Sequence, residues 1–308
     1  MKNKSILNLE KEVFVIVDAN AYVHSSFHGY NPILDEKGKD HRILHGLIDA
    51  LVNLTYKLDR IDYLFMIFDP DNGSLFRESQ FPAYKKNRPP TDPDLSRQRN
   101  DAQIIFKDKF GIPSVHYSGY EADDIIGSMA KIVSQQEQQV IIVSPDKDIA
   151  QCVDDNTFML RRWRTKLEKG YTLMDKHVVK EEFGVHPHQI PDWLALMGDA
   201  ADNLPGLDKV GPKGAADILA KYPTLEHLMS VVHHLDNAKL KEKILKAKDT
   251  LPLVKSLATI VTDLPIENKI DEAIDYGNSI RNHKDYKNTI LSLEKYFRFK
   301  PHYKELFI

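Results

Sequence analysis

The chain has 308 residues, of which 42% are hydrophobic and 28% are charged, an ordinary composition for a globular protein with a sizeable core. Its single cysteine excludes a disulfide framework and is typical of a reducing cytoplasm, where we expect the protein. The first apolar run, residues 13–17, is too short for a signal peptide or a membrane span, so no membrane association is expected. A net charge of −3 gives no direct indication of a nucleic-acid partner.

Three short apolar runs each end beside an aspartate. They are residues 13–17 before Asp18, residues 63–68 before Asp69, and residues 140–143 shortly before Asp146. Such runs predict strands buried on both faces, and the helical patterns at 41–58 and 120–133 lie between them. This alternation predicts an α/β fold with a mostly parallel central sheet and helices on both faces. Because ligands bind beyond the carboxyl ends of parallel strands, the three aspartates indicate a site there.

The segment from residue 82 to residue 110 is polar and basic, and prolines interrupt its first half. We interpret it as a long excursion from the sheet that becomes helical after Asp94. After Met174 the strand signals fade, and from Pro191 onward the chain is mainly helical with Gly/Pro turns. These shifts predict two regions, residues 1–190 and residues 191–308.

Acidic residues recur in closely spaced groups after the strand-end aspartates. Glu121 and Asp124 share one helix face through their i, i+3 spacing, and Asp199 and Asp202 have the same spacing. With the strand-end residues they make nine carboxylates: Asp18, Asp69, Glu121, Asp123, Asp124, Asp146, Asp148, Asp199 and Asp202. Any single pair is better explained as a helix cap or a solvated face than as a metal site. Without all nine, the net charge of −3 would become +6, so the remainder of the chain is basic.

So many like charges at one edge of a sheet would repel one another, and burying them without partners costs several kcal/mol each. The nine carboxylates together therefore predict bound cations. All-oxygen donors without His or Cys favour Mg²⁺ or Mn²⁺ over Zn²⁺. Two such ions can activate water and stabilise the leaving oxygen in phosphodiester hydrolysis.

The motifs of this chain, in their order, resemble the 5′ nuclease (flap endonuclease) family, above all the N-terminal 5′-3′ exonuclease domain of bacterial DNA polymerase I in a stand-alone form. They are Val17-Asp18, Phe68-Asp69, Tyr84-Lys-Lys-Asn-Arg88, Gly119-Tyr-Glu-Ala-Asp-Asp124, Ser144-Pro-Asp-Lys-Asp148, Met197-Gly-Asp-Ala-Ala-Asp-Asn-Leu-Pro-Gly206 and Thr262-Asp-Leu-Pro265. The resemblance implies a PIN-like nuclease core with an arch or gateway near 82–110. It also implies a helix-three-turn-helix near 192–222 in a DNA-binding C-terminal region.

The resemblance also assigns roles to residues. It implies that Asp69, Glu121, Asp123 and Asp146 hold one metal ion with Asp18 nearby, that Asp148, Asp199 and Asp202 serve a second, and that Asp124 supports the first group. Lys85 and Arg88 would act on the scissile phosphate, Tyr84 would stack on a base, and Asp146 is expected to be essential for catalysis. The expected DNA-binding residues are Tyr84, Lys85, Lys86, Arg88, Lys209, Gly211, Lys213 and Gly214. The turn around Gly211 would also hold K⁺.

We therefore expect a monomeric structure-specific 5′ nuclease with 5′-3′ exonuclease and flap endonuclease activity. Its substrate would be DNA with a 5′ flap, a branch or a 5′ end, and it would work beside a DNA polymerase in replication or repair. Two alternatives are a related ribonuclease and a catalytically silent DNA-binding module. One departure stands out, because Ser25 occupies a position where the family usually has an arginine.

Overall fold

A five-stranded sheet forms the centre of the described part of the chain, which in this computed structural model comprises residues 8, 10–70, 74–164, 169–280 and 286–291. The strands are β1 (Val13–Asp18), β2 (Tyr63–Ile67), β3 (Gln139–Val143), β4 (Thr157–Arg164) and β5 (Lys169–Met174). Their order is β2-β1-β3-β4-β5, and only the β4–β5 pair is antiparallel. The predicted mostly parallel sheet is confirmed. Residues 292–308 of the predicted C-terminal region lie outside the described residues.

The register of the sheet brings the three predicted strand ends together. β1 lies between β2 and β3, with Asp18 opposite Ile67 and Val17 opposite Val143. Residues Asp69 and Asp146 follow their strands within a few positions and therefore emerge beside Asp18 at one edge. The chain thus gathers carboxylates at the end of the sheet where parallel folds bind ligands.

Helices cover both faces of the sheet, as predicted. They are α1 (Ala19–Gly29), α2 (Arg42–Thr55), α3 (Leu75–Gln80), α4 (Pro93–Phe110), α5 (Ala122–Gln135), α6 (Lys176–Phe183), α7 (Ile190–Met197), α8 (Pro212–Lys221), α9 (Leu225–Ser230), α10 (Ala238–Lys246), α11 (Thr250–Ala258) and α12 (Glu267–Ile280). Successive residues of β1 face opposite sides, so Phe14 and Ile16 pack with α5 and the C-terminal helices, whereas Val15 and Val17 pack with α1, α2 and α4.

The excursion at 82–110 is compact. After a turn at residues 82–88, α4 begins at Pro93, where the Asp92 side chain accepts a hydrogen bond from the Asp94 amide, and it ends at Gly111 in the left-handed conformation. Leu95, Ala102 and Ile105 are buried against the core that α2 shares. Most of α4 is therefore packed on the body of the protein, and the part that precedes it carries the basic residues of interest.

Helices α7 and α8 occupy the segment predicted to be a helix-three-turn-helix. The loop between them folds back on the end of α7, so that Gly198 and Gly206 meet backbone to backbone. Gly198 has φ +74°, and a Cβ atom on Gly206 would lie 2.2 Å from the carbonyl carbon of Met197. Only glycine fits at this contact, which fixes the loop that carries Asp199 and Asp202.

We predict that Gly206→Ala lowers the free energy of unfolding by about 1–3 kcal/mol, the usual cost of forcing an extra carbon into a packed site. Denaturant unfolding measures this loss. Gly29→Ala is the matched control, because a Cβ atom at Gly29 meets nothing within 4 Å and that change should cost nothing. Equal losses for the two variants would contradict the assigned contact.

Candidate active site

A cleft opens at the carboxyl edge of the sheet and is lined by most of the predicted carboxylates. Its larger cavity, about 440 Å³, is lined by Asp18, Asp69, Glu121, Asp123 and Asp146. A smaller cavity of about 20 Å³ is lined by Glu121, Asp123, Asp148, Asp199 and Asp202. Because Glu121 and Asp123 line both cavities, the two adjoin. The structure thus brings together eight of the nine carboxylates that the sequence singles out.

Short-range hydrogen bonds fix the carboxylates that follow β1 and β3. Asp18 caps α1 by accepting from the Ala21 amide at 3.3 Å and also accepts from the Ser144 hydroxyl at 2.7 Å. The same hydroxyl accepts from the Asp146 amide at 3.0 Å, and Asp146 in turn accepts from the Asp148 amide at 3.0 Å. These bonds orient the strand-end side chains toward the cleft.

Two lysine side chains connect carboxylates within the cleft. Lys147 Nζ lies 2.7 Å from Asp199 Oδ2 and 3.2 Å from Asp148 Oδ1. Lys85 Nζ contacts Glu121 Oε1 and lies 3.9 Å from Asp202 Oδ2. Each amine therefore spans carboxylates from different segments of the chain.

Asp124 is placed apart from the other eight carboxylates. It is fully buried, its two oxygens accept from the Arg77 guanidinium at 2.6 and 2.8 Å, and Oδ1 also accepts from the Val261 amide at 2.9 Å. It lines neither cavity, so it fits a supporting role better than direct metal ligation. Arg77 also donates to Glu121 at 3.2 Å. The sequence analysis missed this arginine, because nothing local connects residue 77 with residues 121 and 124.

The prediction that Tyr84 stacks on a base is wrong in this structure. The side chain is only 3% exposed, and its hydroxyl donates to Glu121 at 2.9 Å and to Asp202 at 3.1 Å. The ring is therefore buried, and its hydroxyl helps to hold the two carboxylates in position. Lys85 has φ +54°, which turns the chain so that its amine, rather than the ring, faces the larger cavity.

The basic segment and the second acidic loop are bound to each other. The Lys85 amide donates to the Asp202 carbonyl at 3.1 Å, and the Asn87 side chain donates to the Ala200 carbonyl at 2.7 Å. Arg88 donates to Asp202 Oδ1 at 2.5 Å, although half of its side chain is exposed. Lys86 is exposed and lines neither carboxylate cavity. Lys85 and Arg88 thus join the cleft, and Lys86 does not.

A further cavity of about 600 Å³ continues from the cleft along the start of α4, where Arg99 is among its lining residues. His24 lines this cavity as well as the larger carboxylate cavity. Ser25, at the position of the usual family arginine, is exposed, and its hydroxyl donates to the Tyr22 carbonyl at 3.1 Å. The side chain that faces the cleft beside this position is therefore His24.

The other predicted DNA contacts lie at the start of α8. Lys209, Gly211 and Lys213 are exposed and Gly214 is partly exposed. Gly211 is the N-cap residue of α8, and a Cβ atom there would meet nothing within 4 Å. Open backbone with free space at a helix N-terminus is suited to an approaching phosphate.

Burial and mutual repulsion dominate the electrostatics of the cleft. The pKa of Asp18 is raised to about 6, chiefly by burial and then by the charges of Asp69 and Asp146, against the hydrogen bond from Ser144. Burial and neighbouring carboxylates likewise raise the pKa of Asp148 to about 7 and that of Asp123 well above its usual range. Burial also acts on Asp199, but Lys147 outweighs it and lowers the pKa of that carboxyl.

The donor set fits hard divalent cations. Every acidic ligand candidate offers oxygen, and Asp148 Oδ1 is buried and accepts no hydrogen bond of good geometry despite the nearby Lys147 amine. Among the described residues, no group of three His, Cys, Asp or Glu side chains lies close enough together to hold a metal ion without a movement of side chains. The amines of Lys85 and Lys147 stand between the carboxylates instead.

A parallel sheet with an acidic cleft at its carboxyl edge, bordered by basic side chains, is the arrangement of a phosphodiester-cleaving nuclease. Residues 13–184 match the family described as 5′-3′ exonuclease, N-terminal resolvase-like domain, and residues 185–279 match 5′-3′ exonuclease, C-terminal SAM fold. The chain belongs to the 5′-3′ exonuclease family and is a nuclease.

Two kinds of relatives are similar in sequence to this chain. The 5′-3′ exonuclease of Aquifex aeolicus is 36% identical over 82% of this chain and 83% of its own length. DNA polymerase I of Bacillus subtilis is 33% identical over 84% of this chain, but the match covers only 29% of the polymerase. The chain therefore corresponds to most of an exonuclease in one case and to less than a third of a polymerase in the other.

Solved structures share the fold at low sequence identity. The bacteriophage T5 5′-exonuclease with bound zinc superposes with a TM-score of 0.61 and 18% identity over 91% of this chain and 99% of that chain. The catalytic core of Rad2 in complex with DNA superposes with a TM-score of 0.54 and 14% identity over 92% and 91%. These likenesses confirm the predicted α/β architecture. None of the described helices combines the length and apolar character that a membrane span needs.

The raised pKa of Asp18 predicts how stability depends on pH. Between about pH 4 and pH 6 the folded protein binds a proton at Asp18 that the unfolded chain has released, so without metal stability falls as pH rises through this window. Asp18→Asn keeps the cap but removes the charge, and it should raise the midpoint of thermal unfolding at pH 8 in EDTA. The gain should shrink toward pH 4.

Asp92→Asn is the control for this experiment, because it makes the same change at the exposed cap of α4. It should bring no comparable gain at any pH. A lower unfolding midpoint for Asp18→Asn at pH 8 would show that Asp18 is not under repulsion in the folded protein.

Proposed function

We propose that this nuclease is structure-specific and cuts DNA at 5′ flaps, branches or 5′ ends with two divalent cations, Mg²⁺ or Mn²⁺. The observation that carries the proposal is the joining of two carboxylate groups across Glu121 and Asp123, with Lys85 and Arg88 reaching into the same cleft. Asp18, Asp69, Glu121, Asp123 and Asp146 would hold one cation, and Asp148, Asp199 and Asp202 the other. When bound, the two cations would supply water activation and leaving-group stabilisation.

The side chains of the protein have separate tasks in this proposal. Lys85 and Arg88 would leave their carboxylate partners to place positive charge at the scissile phosphate, where charge grows in the transition state. Arg77 would hold Asp124 and Glu121, so that α5 presents its first turn in a fixed orientation. Tyr84 would fix the positions of Glu121 and Asp202 through its hydroxyl.

Recognition of the duplex would fall to the start of α8. Lys209 and Lys213 carry exposed charge there, and the open backbone at Gly211 and Gly214 admits a phosphate. The same turn would hold K⁺ through backbone carbonyls. Phosphate contacts of this kind carry no sequence information, in keeping with a nuclease that recognises shape. In this division of labour, residues 1–190 would carry most of the cutting site, and residues 191–308 would hold the duplex and contribute Asp199 and Asp202 to the second cation.

The relatives named DNA polymerase I suggest a partner. In those proteins the matching part is joined to a much longer chain, whereas the Aquifex aeolicus exonuclease matches over most of its length. We infer that this nuclease acts on DNA ends that a DNA polymerase leaves during replication or repair.

A labelled duplex with a 5′ flap tests the proposed function directly. The purified protein should cut it near the junction with Mg²⁺ and not in EDTA, and Asp146→Asn should abolish cutting while binding stays within a few fold, because a metal ligand acts mainly on the transition state. The same assay with an RNA substrate of the same shape tests the ribonuclease alternative, because a ribonuclease would cut the RNA rather than the DNA. Binding without any cleavage would support a silent module and contradict the proposal.

Lys85 should act on catalysis more than on affinity. Lys85→Ala should slow single-turnover cleavage at saturating enzyme by about 10²–10³, the usual effect of removing one preorganised group at the reacting centre. Lys86→Ala is the matched control, because the neighbouring lysine is exposed and lies outside the cleft. It should change affinity by less than about tenfold, and added salt should reproduce its effect. Full recovery of the Lys85→Ala rate at saturation would reduce Lys85 to a phosphate anchor.

A further inference from the structure

Lys147 stands between two carboxylates that come from distant parts of the chain. It is the first residue of the 3₁₀ turn Lys147–Cys152, directly between Asp146 and Asp148. Its amine lies 2.7 Å from Asp199 Oδ2 and 3.2 Å from Asp148 Oδ1. Its side chain is 31% exposed and lines the larger cavity, whereas both carboxylates line the smaller one. The amine therefore reaches from one cavity to the oxygens of the other.

These oxygens have few other partners. Asp199 Oδ1 accepts from the Ala201 amide at 2.8 Å, which leaves Oδ2 facing Lys147. Asp148 Oδ1 is buried and accepts no well-formed hydrogen bond. The repulsion between Asp148 and Asp199 is thus countered mainly by one amine on a long, flexible side chain.

From this geometry we propose that Lys147 is a built-in counter-ion that occupies the carboxylates of the second cation and is displaced when that cation binds. The inference rests on the proposed two-cation function and adds to it a residue that sets how tightly the second cation is held. The amine and a divalent ion compete for the same two carboxylates, so binding of one weakens binding of the other. Before the second cation binds, Lys147 would keep the loop at 199–202 attached to the 3₁₀ turn. Because the cation then has to displace the amine, it would bind more weakly.

Removal of the charge should have opposite effects on stability and on metal affinity. In EDTA, Lys147→Met should lower the midpoint of thermal unfolding, because Asp148 and Asp199 then repel each other without compensation. In a Mn²⁺ titration followed by calorimetry, without DNA, the same variant should bind the weaker of the two ions about tenfold more tightly. A tenfold change corresponds to about 1.4 kcal/mol, the interaction expected between a divalent ion and one unit charge that has been displaced to about 6 Å and is screened by water. Saturating Mn²⁺ should restore its unfolding midpoint to that of the parent or higher.

Two further variants separate charge from packing. Lys147→Arg keeps the positive charge and should bind Mn²⁺ like the parent. Lys255 is the matched control, because its amine also bridges two carboxylates, Asp192 at 2.6 Å and Glu226 at 2.7 Å, with a similar exposure of 26%. Lys255→Met should lower the unfolding midpoint equally with and without Mn²⁺ and leave Mn²⁺ affinity unchanged.

The possible failures are distinct. Unchanged or weaker Mn²⁺ binding by Lys147→Met, beside normal binding by the parent, would overturn the counter-ion role and leave the proposed function intact. The counter-ion role would also be overturned if Lys147→Arg bound Mn²⁺ like Lys147→Met, because the Mn²⁺ affinity would then depend on the shape of the lysine side chain rather than on its charge. A parent protein that binds no Mn²⁺ would overturn both the inference and the proposed metal site.

Discussion

Carboxylates buried side by side repel, and the active-site region of this nuclease is organised around that repulsion. Four of the gathered aspartates, Asp18, Asp69, Asp123 and Asp148, have raised pKa values, chiefly because of burial and additionally because of neighbouring carboxylates. An arrangement of this kind is unfavourable by itself, and the fold has to compensate for it. Backbone amides at helix starts, hydroxyl donors and the protein's own cations all point into the cleft. The chemistry we propose uses the same unfavourable charge to attract divalent ions.

The compensation also holds distant segments together. Arg77 on α3 donates to the Leu257 carbonyl at 2.8 Å while it pairs with Asp124, and Asp124 accepts from the Val261 amide. The acidic helix α5 is therefore bound both to α3 and to the segment around the end of α11. A buried ion pair with this many partners is costly to break, because each lost partner leaves an uncompensated charge. Cleft geometry and global stability consequently depend on the same contacts.

The sequence predicts the parts of this site that follow from local rules. Strand-end aspartates converge because parallel strands share a carboxyl edge, and the register of β1 with β2 and β3 realises that rule. Asp124 and Tyr84 show where local rules end. The spacing of Asp124 places it near Glu121, but Arg77, 47 residues away, takes up both of its oxygens. Tyr84 turns inward toward Glu121 and Asp202, which are distant in the sequence, so no local rule predicts its burial.

The same dependence on distant contacts explains how the cleft obtains positive charge without the usual arginine at Ser25. The segment at 83–88 is held by the loop at 199–203 through Asn87 with Ala200 and Asn203 with Ala83. The loop, in turn, is fixed by the close contact of Gly198 with Gly206. Lys85 and Arg88 can therefore face the carboxylates only while the helical region is folded onto the sheet. The basic side chains of the cleft, its carboxylates and the loop that leads to α8 thus depend on one another structurally, and a serine at position 25 is compatible with the site that we propose.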